Sequence, residues 1–263
     1  MGVVNVTADS FSDGGLFLET TRAIDHGLRL REEGADLVDV GGESTRPGAL
    51  PVPLDEELRR VIPVVEALVR ENVPVSVDTL KPEVMRAALD AGCAMVNDVN
   101  GFRAPGAIEA VAASKAAVCA MHMQGKPATM QADPRYGDVL AEVAAFLSER
   151  ALALEAAGVA RESIVLDPGF GFGKTLEHNL ALFRGLPRLA ALGYPVLVGV
   201  SRKRLIGDLT GRPVAERVAG SVAAALLAVQ NGASLVRVHD VKETVDALRV
   251  WLGLNCPIAP PKK

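Results

Sequence analysis

Eight short apolar runs, each ending in a polar residue and each followed by a helical pattern, constrain this chain more than any other feature of it. The runs lie at residues 2–6, 36–40, 74–77, 94–96, 116–121, 163–166, 195–200 and 234–238. Between and after them, helical patterns fall at residues 20–33, 55–71, 82–91, 105–113, 138–157, 176–192, 214–231 and 242–252. Strands joined through helices run parallel, because a helical crossover returns the chain to the same end of the sheet. Eight such units close into a single (β/α)8 TIM barrel, with its active face at the C-terminal ends of the strands. The expected fold class is therefore α/β, one barrel over residues 1–252 followed by a proline-rich tail at 253–263. A chain of 263 residues suits one such domain, and 49% hydrophobic residues with only 4% aromatics suits helices packed on a buried parallel sheet.

Other features narrow the class. The formal net charge of −4 argues against a nucleic-acid surface. Cys93, Cys119 and Cys256 are widely spaced, with no zinc or redox pattern, so reduced thiols in a cytoplasmic setting are expected. The N-terminus has neither a basic region nor a signal-like apolar core. The longest low-polarity run, residues 218–229, is too short to span a bilayer. A soluble protein with no nucleic-acid and no membrane partner is expected.

Polarity concentrates where the barrel would place chemistry. The strand ends carry Asn5, Asp39, Asp78, Asn97, Asp167, Ser201 with Lys203, and Arg237 with His239. Any one of them could be a helix cap or loop anchor; so many converging on one face are harder to explain that way. After Asp167 comes Pro168-Gly169-Phe170-Gly171-Phe172-Gly173-Lys174-Thr175, a loop whose glycines let backbone approach a ligand. It is not a nucleotide phosphate loop, because that spacing needs glycine where Pro168 stands. Asp78, Asn97 and Asp167 suit a flat heterocycle with an amino group beside a ring N–H, which a carboxylate accepts through two parallel bonds. Phe172 offers an aromatic wall. Lys203, Arg237, His239 and Arg46 are read as cations suited to phosphate or diphosphate, and the Asn5 amide oxygen as a ligand for a hard cation. A heterocycle pocket beside an anion pocket points to group transfer with an anionic leaving group.

In these segments the chain resembles dihydropteroate synthases. Residues 1–15, Gly41 through Gly48, Asp78-Thr79, Asn97-Asp98-Val99, Met121-His122-Met123-Gln124-Gly125, Asp167 through Thr175, Ser201-Arg202-Lys203-Arg204 and Val236-Arg237-Val238-His239-Asp240 match that family's motifs in order, from residue 1 to about 252. The resemblance implies condensation of 6-hydroxymethyl-7,8-dihydropterin diphosphate with 4-aminobenzoate, releasing diphosphate. By position it implies a pterin site at Asp78, Asn97, Asp167 and Lys203, lined by Met121, Phe172 and Gly199. It implies Mg2+ on Asn5, diphosphate on Arg237 and His239 near Thr45, and 4-aminobenzoate framed by Phe11, Asp13, Arg46, Pro47 and Arg204. Lys203, Asp78, Asp167, Arg237 and His239 are the expected catalytic set, and a homodimer is the family's usual state. Anilines are weak nucleophiles, so a dissociative, SN1-like transfer without a covalent enzyme intermediate is expected. Two features depart from the family. Ala8 replaces a usual proline, which loosens the first loop, and the chain starts one residue before the first strand where relatives carry a lead-in.

Two alternatives share the barrel: a methyltransferase domain acting on methyltetrahydrofolate, and a pterin-binding barrel without turnover. The full cationic set favours the diphosphate reaction. Plainer roles are assigned elsewhere: His178 as a cap, His122 and Lys174 as structural, Glu43 and Asp98 as loop caps or orienting acids, and Asp39 as a support of the second loop.

Overall fold

The computed structural model describes residues 1–6, 13–46 and 48–255, residues 13–18 by their backbone only. Valine-rich runs form β1 (Gly2–Asn5), β2 (Val38–Gly41), β3 (Val75–Asp78), β4 (Met95–Asp98), β5 (Ala117–Met121), β6 (Ile164–Asp167), β7 (Leu197–Val198) and β8 (Leu235–Val236). The helices are α1 (Asp13–Glu32), α2 (Leu54–Arg70), α3 (Pro82–Asp90), α4 (Ala107–Ala112), α5 (Val139–Ala156), α6 (Leu176–Arg184), α7 (Leu186–Ala190), α8 (Arg204–Thr210), α9 (Val218–Gln230) and α10 (Val241–Asn255). Strands β1 to β6 pair in chain order, all parallel, and β7 pairs with β8. Single parallel bridges join the two sheets at both edges, Leu166 to Val196 and Gly2 to Val238. The bonds from Leu166 N–H to the Pro195 carbonyl (2.9 Å) and from Val238 N–H to the Met1 carbonyl (2.9 Å) complete the ring. The expected (β/α)8 barrel is therefore closed.

Strand alternation divides the apolar residues between two cores. Val38, Val40, Val75, Val77, Val96, Val118, Ile164 and Leu166 face the helices and belong to the large outer core. The opposite phase faces the barrel axis, where Met95, Cys119, Val165 and Leu197 form a separate inner plug with Met1, Leu37, Ala117 and Leu235 packed on it. Two residues further along those same strands, the inward positions become polar: Asp39, Asn97, Asp167 and Arg237. The site is thus the upper continuation of the inner core.

Some boundaries differ from the sequence reading. The helix expected over residues 176–192 is broken at Gly185 into α6 and α7, because Pro187 lacks the N–H that would continue the ladder. Strands β7 and β8 are shorter than the expected 195–200 and 234–238, since their outer residues pair through isolated bridges where the ring closes. Helix α1 begins seven residues before the expected 20, and α10 continues to Asn255, past 252. The tail from residue 256 lies outside the described residues. Cys93 and Cys119 are buried free thiols. No helix among the described residues is long and apolar enough to cross a membrane.

Candidate active site

The centre of the barrel mouth is a carboxylate fully removed from solvent. Asp39 lies between Val38 and Val40, which face the helices, so its side chain is inside the barrel and 0% exposed. Its Oδ2 accepts from Arg237 Nε at 2.6 Å and from Asn97 Nδ2 at 3.3 Å. Arg237 Nη2 donates to Asp78 Oδ2 at 3.1 Å. Parallel register sets Asp78 opposite Asn97 on β4, so β8, β2, β3 and β4 contribute to one acidic floor with one guanidinium across it. Charges held this far from water are tolerated only when paired. The Asp39–Arg237–Asp78 array meets that demand and holds Arg237 above its ordinary pKa despite burial, through the charges of Asp39 and then Asp78. Burial dominates at Asp78 and pushes its carboxyl up to about 7, against the pull of Arg237.

Acceptor capacity is left over. Asp39 Oδ1, Asp78 Oδ1 and Asn97 Oδ1 are buried and bond to no other group among the described residues. Buried acceptors of this kind are costly unless a ligand's N–H groups meet them. A flat heterocycle bearing several N–H donors has the complementary chemistry.

A second acid and a lysine flank the floor. Asp167 Oδ1 accepts the Gly169 N–H at 2.7 Å, and burial raises its pKa against the opposing charge of Lys203. Lys203 is half-buried and donates to the Phe170 carbonyl at 2.6 Å, its ammonium 4.6 Å from the centre of the Phe172 ring. Burial lowers Lys203 to about 8, and Asp167 resists that fall. A Cβ built on Gly199 would sit 3.7 Å from Arg237 Cβ and 3.9 Å from Lys203 Nζ, so Gly199 lies between the two cations. Met121 and Phe172 share an apolar cluster with Val99, Met123, Met130 and Leu80.

The structure corrects the reading of His239 as a cation. Burial, then the nearby Arg237, lowers its pKa to about 4, so the ring is neutral near pH 7. Its Nδ1 lies 3.1 Å from Ser201 Oγ, and its backbone N–H donates to the same oxygen at 3.1 Å. Arg202, inside the matched motif, turns away: with φ at +57° it forms a two-pronged ion pair with Asp240, whose longer contact is 3.0 Å.

The remaining expected residues lie on the rim. Asn5 is exposed at the end of β1. Thr45 is half-buried and Arg46 exposed in the loop after β2. The Arg204 side chain is 92% exposed and pairs with Asp208 at 3.4 Å, so the structure does not bring it against the floor. Phe11, Pro47 and the Asp13 side chain lie outside the described residues. Among the described residues no group of three acids, histidines or cysteines could cage a metal. A single exposed amide oxygen on Asn5 still fits magnesium, which takes most of its ligands from substrate phosphate and water.

Two features escaped the sequence reading. Asp39 is the hub of the floor, although it was assigned only to loop support. Below the second loop, Glu57 is 1% exposed, accepts from Thr79 Oγ1 at 2.6 Å and pairs with Lys81, which also reaches Glu43 at 2.5 Å. Glu57 occupies the stripe of α2 otherwise filled by Val61, Val64, Val65 and Leu68, and a carboxylate at a core position is a signal that needs no structure to see. The plainer readings hold elsewhere. Asp98 accepts the N–H groups of Asn100 and Phe102, both at 2.7 Å, and His178 completes a capping box with Thr175.

Comparison with known proteins follows the same lines. The sequence matches the family described as pterin binding enzyme over residues 1–239. It is 51% identical to the Dihydropteroate synthase of Escherichia coli (strain K12) over 251 residues, covering 95% of this chain and 89% of that protein. The structure resembles Xanthomonas albilineans Dihydropteroate synthase with 4-aminobenzoic acid, with a TM-score of 0.91, 59% identity and coverage of 98% of this chain and 93% of that one. It also resembles the Xanthomonas albilineans enzyme in complex with 7,8-dihydropteroate, with a TM-score of 0.88, 56% identity and coverage of 98% and 93%.

Proposed function

The chain belongs to the pterin-binding enzyme family, and we propose how its barrel mouth carries out the dihydropteroate synthase reaction. The enzyme is a transferase that joins the methylene carbon of (7,8-dihydropterin-6-yl)methyl diphosphate to the amine of 4-aminobenzoate, giving 7,8-dihydropteroate and diphosphate. The observation that supports the division of labour is the set of buried acceptor atoms without protein partners on Asp39, Asp78 and Asn97, beside Asp167 and Lys203. Asp78, Asn97 and Asp167 take the N–H edge of the pterin, and Lys203 donates to its acceptor edge. Met121, Phe172 and Gly199 leave a flat slot for the ring.

The C–O bond to diphosphate breaks first, and its electron pair leaves with the phosphate oxygen. The electron-rich dihydropterin spreads the resulting positive charge, and the surrounding carboxylates stabilise it. Arg237 presents fixed positive charge toward the leaving group, and His239 meets it as a neutral donor until the diphosphate draws a proton onto the ring. Asn5 would hold magnesium through its amide oxygen, and the ion would supply positive charge to the leaving group. Phe11, Asp13, Arg46, Pro47 and Arg204 frame 4-aminobenzoate, with Thr45 near the diphosphate. The amine lone pair closes the C–N bond and the nitrogen gives one proton to solvent.

A homodimer belongs to the same proposal, supported by the exposed apolar side chains Leu209, Val214, Leu227 and Val250 on and around α8, α9 and α10. A cytoplasmic site of action fits the buried free thiols.

The test is diphosphate release with magnesium, with and without 4-aminobenzoate, in the wild type, Lys203→Ala and Asp167→Asn. Release that depends on the amine and forms dihydropteroate, lost in both variants, supports the assignment. Wild-type turnover in either variant would refute the pterin pocket.

A further inference from the structure

The glycine-rich loop after β6 is held by side chains at every carbonyl from 169 to 173. Lys174 donates to the Gly169 carbonyl at 2.9 Å and to the Phe172 carbonyl at 3.0 Å. Lys203 takes the Phe170 carbonyl at 2.6 Å, Gln131 the Gly171 carbonyl at 2.5 Å, and the Tyr136 hydroxyl the Gly173 carbonyl at 2.9 Å. The Gly171 N–H donates to Asn179 Oδ1 at 2.8 Å. Gly169, Gly171 and Gly173 all have positive φ, a conformation open to glycine, whose wide conformational freedom the side-chain bonds restrict. The loop also rests against backbone: a Cβ on Gly169 would fall 1.9 Å from the His122 carbonyl oxygen, and one on Gly173 2.7 Å from that of Gln124.

Lys174 is the inner member of this set. It is 3% exposed, and its Nζ also lies 2.9 Å from His122 Nδ1. These three close acceptors, with the His122 carbonyl farther off at 3.4 Å, satisfy the three N–H bonds of an ammonium. The arrangement has a cost: burial drops the Lys174 ammonium to about 7, with Asp167 opposing the fall. A lysine kept in such a place serves the geometry it imposes. What it fixes is the pair of loop groups that meet Lys203, the Phe170 carbonyl and the Phe172 ring.

We propose that Lys174 is a positioning residue for the heterocycle pocket, locking the glycine-rich loop so that Phe172 and Lys203 are set in place before the pterin arrives. This rests on the reading of Phe172, Lys203 and Asp167 as the pterin side of the site. Lys174 touches no substrate in this scheme. Its loss weakens binding of the pterin and spares binding of the amine.

The experiment measures calorimetric affinity for 6-hydroxymethyl-7,8-dihydropterin, which lacks the leaving group, together with the KM for 4-aminobenzoate. In Lys174→Met the pterin affinity falls by about tenfold or more, the scale of losing hydrogen bonds to a charged group, and the KM for the amine stays within about twofold. A double-mutant cycle separates positioning from general destabilisation. If Lys174 acts through the loop, Lys174→Met costs little further affinity in a background with both Phe172→Ala and Lys203→Ala, and additive losses there overturn the proposal. Tyr136→Phe removes one hydroxyl from the same loop and serves where Lys174→Met fails to fold. A pterin affinity about two- to fivefold weaker is expected for it, one lost neutral hydrogen bond, and an unchanged affinity overturns the proposal. Lys203→Ala and Asp167→Asn act as controls. If they leave pterin affinity intact, the pocket assignment falls with the inference; if they weaken it and Lys174→Met does not, the inference falls alone.

Discussion

Replacing Asp39 by asparagine tests the floor of the site most directly. The substitution keeps the volume and one acceptor oxygen but removes the charge from the carboxylate that Arg237 approaches at 2.6 Å and Asn97 at 3.3 Å. An ion pair becomes a bond from a charged guanidinium to a neutral amide oxygen in a fully buried position, and Asp78 is left as the carboxylate partner of Arg237. The loss in positioning Arg237 is about 2–3 kcal/mol, below the full cost of orphaning a buried charge because Asp78 remains. If that loss is felt in the transition state, kcat/KM falls by about 30- to 160-fold. The pH dependence supplies an independent sign. Burial raises Asp78 to about 7, with Asp39 adding to that rise and Arg237 opposing it. Neutralising Asp39 removes a raising influence and gives Arg237 wholly to Asp78, so both changes lower the Asp78 pKa. In the proposed mechanism Asp78 meets the pterin N–H edge as a carboxylate, so the acid limb of kcat/KM is expected to move to lower pH. The assay is dihydropteroate formation across pH 5 to 9 in both proteins. Wild-type kcat/KM in the variant, or an acid limb that stays put or moves upward, would refute the coupling of Asp39 to Arg237 and Asp78.

In the wild type, kcat/KM follows a bell, rising as Asp78 loses its proton near about 7 and falling as Lys203 loses its own near about 8; Lys203→Arg keeps the charge and flattens the basic limb. Asp78→Asn separates stability from activity. A carboxyl whose folded pKa is raised binds its proton more tightly when folded, so its contribution is present at low pH and is lost as pH rises from about 4 through about 7. The Tm of this variant therefore gains on wild type between pH 5 and pH 8, while its turnover is lost. Gly169→Ala places a Cβ 1.9 Å from the His122 carbonyl oxygen at a φ of +69° and costs at least about 2 kcal/mol in denaturant unfolding. Gly171→Ala, at φ +80° with its nearest neighbour 3.5 Å away, costs only about 1 kcal/mol, and equal losses in the two variants would contradict the packing of this loop.

The sequence made the barrel legible because its strands and helices differ in period, and because valine runs buried on both faces appear as continuous apolar stretches. It did not show how the ring closes. Val196 and Val238 each complete it through one bridge, a contact between distant residues with no local signature. Asp78, Asn97, Asp167 and Lys203 were legible as a converging set because each ends or follows a strand. Their charge states were not. His239 looks like a cation in a motif beside arginines, and it is burial with Arg237 that makes it neutral. Asp39 was visible as a strand end but its role was not, because its partner Arg237 lies 198 residues away. Lys174 was legible as a structural residue, but the carbonyls it holds, those of Gly169 and Phe172, were not.

The polar floor also constrains the fold that carries it. On β2, Val38 and Val40 belong to the outer core, while Leu37 packs on the inner plug and Asp39 continues that phase upward. A register slip of one residue would exchange the faces. It would drive Asp39 into the apolar layer between strand and helix and bring Val40 to the place where Arg237 now finds a carboxylate. There the aspartate would be a buried charge with no cation, a penalty of several kcal/mol, and Arg237 would lose its shortest ion pair. The polar residues of the floor therefore oppose the misaligned barrel more strongly than a valine in their place would. They bear a stability cost in the aligned one, which the raised pKa of Asp78 and the unpartnered oxygens of Asp39, Asp78 and Asn97 make visible. In the proposed mechanism a pterin whose N–H groups meet the oxygens of Asp78 and Asn97 relieves part of that cost on binding, so occupancy of the pocket and stability of the barrel are linked through the same atoms.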